Sequence, residues 1–238
     1  MHPLLRRPVA TALSCMAVTL SATACGPFLG DLTRPQILGE AIEATESAKS
    51  VTVHNDILSL AMPIKGYTSR DSRGNCIATR SYGAAGRVDV IKIGDKDVYL
   101  RRDEASLRSE ERHRSPEELE ALVDKVGGRW TKPPVDGPDA PEDLAICNRV
   151  TFDASLEINW EDDSAKGDPT TVDGRKALKL VKAGGENETA VYIAAEGPPY
   201  ILKIVMKGGD VSGTITYSHY DRPVEVTAPP AEDIVAMN

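Results

Sequence analysis

His54 and Asp56 stand two residues apart, a spacing that places both on one face of a β-strand and sets an imidazole beside a carboxylate able to orient it as a base. A solvated strand face gives the same pattern. His113 and His219 fall on other predicted elements and His2 in the N-terminal leader, so no third group joins the pair. Glu161, Asp162, Asp163 and Asp168 gather the hard oxygens that calcium needs, but not in EF-hand order, and a solvated acidic loop accounts for them. Arg101, Arg102, Arg108, Arg112 and Arg114 interleave with Asp103, Glu104, Glu110 and Glu111. Such a run offers cations to lipid headgroups at a cavity mouth, although its mixed charge equally describes a solvated helix or loop. The sequon Asn187-Glu188-Thr189 is accidental in a chain with a bacterial leader. Nucleophile elbows, phosphate-cradling glycine loops, H-E-x-x-H helices and dinucleotide fingerprints are all missing from the sequence. This inventory predicts a non-enzymatic protein with no catalytic residues, no metal and no cofactor.

The cysteines carry more information. Arg6 and Arg7 precede an uncharged, alanine-rich run over residues 9–24, the form of a secretory leader and too short for a stable membrane span. It ends in Ala22-Thr23-Ala24-Cys25 followed by Gly26, which resembles a bacterial lipobox, with Ala22 where leucine is usual. In that pattern the leader is removed before the cysteine and the Cys25 thiol is acylated. An ordinary signal peptide cut after Ala24 is the alternative. Cys15 leaves with the leader and Cys25 is taken by lipid, so Cys76 and Cys147 remain. An even pair outside the cytoplasm suggests one disulfide; two buried free thiols are the other reading. No histidine lies near either cysteine and C-x-x-C spacing is absent, which argues against a metal.

Removing residues 1–24 leaves about 214 of 238 residues, enough for one domain with a sizeable core. Loss of Arg6 and Arg7 takes the formal charge from −8 to −10. Such acidity argues against nucleic acid as a partner and against electrostatic docking on anionic lipid, so membrane attachment rests on acyl chains. The organisation expected is signal peptide 1–24, lipidated tether 25–32 and a single domain 33–238.

Elements follow from local signals. Thr33-x-x-Gln36 has the form of a capping box, and apolar residues from Ile37 to Ala48 recur at helical spacing, predicting a helix over 33–49. Period-two runs at 51–60, 76–82, 87–93 and 97–101 predict a meander. Ser115-Pro116-Glu117-Glu118 opens a central helix whose stripe is Leu119, Leu122, Val123 and Val126, ended by Gly127-Gly128. Alternation over 150–160 reads as a strand. Further strands are expected at 170–172, 176–182, 189–195, 200–207 and 211–219, then an edge strand over 223–230 and a terminal helix over 231–237. Short turns favour antiparallel pairing.

Helix, meander, helix and meander behind a lipobox resemble the actinobacterial lipoproteins of the LppX and LprG type. The strings that carry the resemblance are Ser47-Ala48-Lys49-Ser50-Val51, Val90-Ile91-Lys92-Ile93-Gly94-Asp95-Lys96, Gly128-Arg129-Trp130-Thr131-Lys132, Thr170-Thr171-Val172-Asp173-Gly174 and Asp221-Arg222-Pro223-Val224. The resemblance implies an α+β fold, a large antiparallel half-barrel-like sheet with helices packed on its concave face and an apolar cavity between them. It also implies a helix after Cys147, against the alternation over 150–160, which stays open. The function expected is an extracytoplasmic lipoprotein held on the cell membrane by Cys25, carrying an acyl-chain lipid against Leu119, Leu122, Val123 and Val126. The alternative is a protein-interaction or cell-wall-associated lipoprotein with a packed interior.

Overall fold

In the computed structural model, which describes residues 32–138, 140–148, 167–184 and 186–236, the first helix begins where its capping signal stands. The Thr33 amide donates to Gln36 Oε1 at 2.9 Å, and α1 spans Arg34–Ser47. It buries Ile37, Leu38, Ala41 and Thr45. The chain then enters β1 (Ser50–Ser59), β2 (Ile64–Asp71), β3 (Cys76–Ser81), β4 (Arg87–Ile93) and β5 (Asp97–Arg102), each antiparallel to the one before. Two helices follow. α2 (Glu104–Glu110) is capped by Asp103, whose carboxylate accepts from the Ser106 amide at 2.8 Å. α3 (Pro116–Val126) is capped by Ser115 in a reciprocal box with Glu118.

A two-residue strand β6 (Trp130–Thr131) pairs with β5, and a 3-10 turn occupies Glu142–Cys147. The second meander runs through β7 (Asp168–Val172), β8 (Arg175–Gly184), β9 (Asn187–Ala194), β10 (Ile201–Lys207) and β11 (Val211–Ser218). Asp173 and Gly174 both have positive φ, 48° and 78°, as a tight β7–β8 hairpin requires. β11 pairs along its whole length with β1, from Thr52↔Ser218 to Ser59↔Val211, and joins the two meanders into one sheet.

Three expectations change. Residues 64–71 form a central strand although their sequence lacks alternation. Residues 223–230 join no ladder; Pro223, Pro229 and Pro230 have no amide to donate. The terminal helix is replaced by a single 3-10 turn, Ala231–Asp233, and β12 (Ile234–Val235), which lies parallel to β6. Seven residues are too few to sustain an isolated helix, whereas Ile234 and Val235 gain ladder bonds at an open edge. The strand expected over 150–160 lies outside the described residues, as do the leader and Cys25.

Cross-strand registers define two faces. The inner face carries Val51, Val53 and Ile57 of β1, Ile215 and Tyr217 of β11, and Ile204 and Met206 of β10, opposite Val191 of β9 and Leu180 of β8. α1 packs its buried stripe onto this half. Over the other half, Leu144, Ile146 and Cys147 pack onto Cys76, Ala78, Val88, Val90 and Leu100. No helix among the described residues is long and apolar enough to cross a membrane.

Candidate functional site

Cys76 and Cys147 are joined as a disulfide with Cα atoms 5.8 Å apart, closing a separation of 71 residues. The bond fixes the Glu142–Cys147 turn on the inner face of β3. Arg102 reinforces it, donating to Asp143 Oδ2 at 2.7 Å and pairing with Glu110 of α2 at 3.1 Å. Burial pushes the Glu110 carboxyl upward and neighbouring Asp143 adds to that, against the pull of Arg102. Four of the arginines in the mixed-charge run are thus occupied within the chain: Arg101 on Asp89, Arg102 as above, Arg108 on Glu104 and Glu120, and Arg114 on Glu111.

His54 and Asp56 both point from the outer face of β1 but do not engage. Asp56 pairs with Lys65 at 3.0 Å, and His54 lies against the Tyr67 ring at 5.8 Å between centroids. His54 instead shares an open groove of about 420 Å³ with His219, Tyr67, Ser69 and Glu225. Glu161, Asp162 and Asp163 lie outside the described residues. Among the described residues, no cluster of histidine, cysteine or acidic groups is able to hold a metal.

The α3 stripe packs toward α2 and the β5–β6 end of the sheet. Val126 is buried, while Leu119, Leu122 and Val123 are half-buried. Leu122 and Val126 face a space of about 60 Å³ shared with Leu100, Leu107, Arg102 and Arg114. That volume admits a few waters. An acyl chain needs more room than the described residues leave there.

The α1 half offers a different arrangement. Along the inner face, burial is complete at one end and fades toward the other: Val51, Ile204 and Tyr217 are buried, Val53, Ile57, Ile215 and Met206 are half-buried, and Val211 is exposed. The closed end is tightly bonded. Thr45 Oγ1 of α1 accepts from the Ile201 amide at 2.9 Å, Asp221 Oδ1 accepts from the Lys49 amide at 2.9 Å, and the Tyr200 and Tyr220 rings stack 4.0 Å apart. Burial and the Asp221 carboxylate together push the Tyr200 hydroxyl up to about 12. Beside this apolar face, Thr68 Oγ1 of β2 is buried with no hydrogen-bond partner among the described residues. The local signal for the face is the alternation of β1, β10 and β11, but their adjacency could not be read from it.

No family model and no curated protein matches the chain. Among solved structures it is similar to the lipoprotein LppX of Mycobacterium tuberculosis, at 16% identity over 82% of this chain and 100% of that one, with a TM-score of 0.46. It is similar to LprF of Mycobacterium bovis at 15% identity, 82% and 96% coverage and a TM-score of 0.48. A conserved protein of Thermus thermophilus follows at 12% identity, 84% and 97% coverage and a TM-score of 0.35. At these identities, what this chain binds has to be read from its own residues.

Proposed function

We propose that the protein is a non-enzymatic envelope lipoprotein, anchored through acylated Cys25, that holds an acyl-chain lipid beside α1 on the half-covered part of the inner face of β1, β10 and β11. The observation that carries this reading is the fading burial of an apolar face. Val53, Ile57, Ile215 and Met206 form an apolar set, interrupted on the same face by Asn55, that is only half-covered toward one end of the sheet. Stable folds bury such rows completely or place them where something else covers them. The Thr68 hydroxyl supplies one of the few polar groups that orient a ligand in a mainly apolar site.

Native mass spectrometry of the full chain carrying Cys25→Ser, made in an actinobacterial host and followed by organic extraction, tests the proposal. A stoichiometric co-purifying acyl lipid is expected. Ile57→Asp is expected to lower the loaded fraction at least about tenfold, since a carboxylate in a hydrocarbon wall costs several kcal/mol. Leu122→Asp, on the small α3 space, is expected to leave loading near the parent value. An empty protein that also refuses added lipids would replace this reading with an interaction protein.

A further inference from the structure

The four exposed large hydrophobic side chains among the described residues are not scattered. Leu58 is 63% exposed, Leu60 85%, Met62 37% and Val211 44%, and all four lie where the β1–β2 and β10–β11 turns meet. Single exposed apolar residues dispersed over a surface are ordinary, whereas a gathered set marks a contact. The two turns are also held as one unit. The Leu60 amide donates to the Asp210 carbonyl at 3.1 Å, and the Ser59 hydroxyl both donates to the Met62 carbonyl at 2.8 Å and accepts from the Met62 amide at 2.9 Å. Asp210 is the one charged residue in the two turns, and the charges on the flanking strands cancel in pairs, Lys65 with Asp56 and Lys207 with Glu188, each at 3.0 Å.

The reach of α1 bears on what covers this tip. Its C-terminal turn is fixed at the opposite end of the sheet, by Thr45 on the first residue of β10. Its buried stripe lies on the sheet. Fourteen helical residues reach about 21 Å, close to the ~23 Å of the seven-residue β10, so a helix laid along β10 from that fixed end carries its N-terminus to the tip. Residues 26–32, at most about 25 Å when extended, separate that helix from Cys25.

We propose that the Leu58–Leu60–Met62–Val211 tip docks in a phospholipid bilayer, seating the domain with the open end of its apolar face against the membrane. This rests on the anchored-lipoprotein reading for the position of the tether.

The test uses the full chain produced in the actinobacterial host and reconstituted in phosphatidylcholine vesicles, with Leu60→Trp as a tip reporter. Thr171→Trp, exposed on β7, is the control, and the unsubstituted protein gives the background of Trp130 and Trp160. The mass of the N-terminal peptide reports acylation independently. Leu60→Trp is expected to shift to shorter wavelength and to lose intensity when the lipid is brominated, beyond the background, while Thr171→Trp does neither. An acylated protein whose Leu60→Trp emission ignores bromination overturns the docking and leaves the anchor standing. An unacylated protein that still shows tip quenching supports the docking and removes the anchor. A shift that follows protein concentration without vesicles means that a second copy covers the tip, and overturns the proposal.

Discussion

Asp89 sits in a row that crosses the outer face of four strands: Thr79, Asp89, Arg101 and Trp130 are successive cross-strand neighbours. Its carboxylate accepts from Thr79 Oγ1 at 2.6 Å, from Arg87 Nη2 at 2.8 Å and from Arg101 Nη2 at 2.9 Å, and the Arg101 guanidinium lies 4.6 Å over the Trp130 ring. Burial pushes this acid upward, but the hydrogen bonds from Thr79, Arg87 and Arg101 outweigh it and hold the group below the ordinary aspartate value. A carboxyl depressed in the folded state contributes stability above its unfolded value of about 3.9 and loses that contribution as pH falls through the folded value. Asp89→Asn is expected to cost about 2 kcal/mol at neutral pH, because two guanidinium groups lose their shared anion. Urea unfolding at neutral pH and in acid below about pH 4 checks it: the gap between parent and variant should narrow in acid. The alternation of β4 and β5 was enough to place these residues on an outer face. Which of them would meet was not, because register depends on the turns and on the far strand.

At the scale of elements, what was readable was what local chemistry decides alone. α1 and α3 begin at their capping boxes and the Asp173-Gly174 hairpin turns where its dipeptide stands, because each signal is satisfied within four residues. α2 was hidden in a charged run whose only cue was Asp103. β2 was hidden for a different reason: Ile64, Gly66, Thr68 and Arg70 face inward, and such a mixed set carries no hydrophobic period. Its partners make it a strand. Gly66 has φ 155°, and a Cβ there would stand 2.0 Å from the Thr79 carbonyl oxygen of β3; only glycine lets the two backbones approach so closely. Gly66→Val is expected to lower stability by at least about 2 kcal/mol, read as a lower thermal midpoint. The disulfide belongs to this scale too, since the Glu142–Cys147 turn is only two helical turns long and depends on its staple. Cys147→Ser is expected to remove about 4 kcal/mol in the chain-entropy model. It should also expose residues 134–148 to limited proteolysis, which the parent resists until reduced.

At the scale of the molecule, the sequence predicted helices over one face of an antiparallel sheet, and the inner-face cores under α1 and under the Glu142–Cys147 turn have that form. The candidate site was less legible. The α3 stripe announced itself by its period, yet the open apolar face is assembled from β1, β10 and β11, whose adjacency depends on a pairing across most of the chain. That pairing has a further consequence in time. β1 begins at Ser50 and its partner β11 ends at Ser218, so one ladder of β1 forms as soon as β2 follows, while the other has no partner until nearly the whole polypeptide has been delivered. Contacts so distant along the chain are slow to close, and an unpaired edge is an invitation to aggregation during the delay. Biogenesis of this protein is therefore paced by its last strands, and a chain halted before residue 211 would present its longest bare edge to whatever lies nearby.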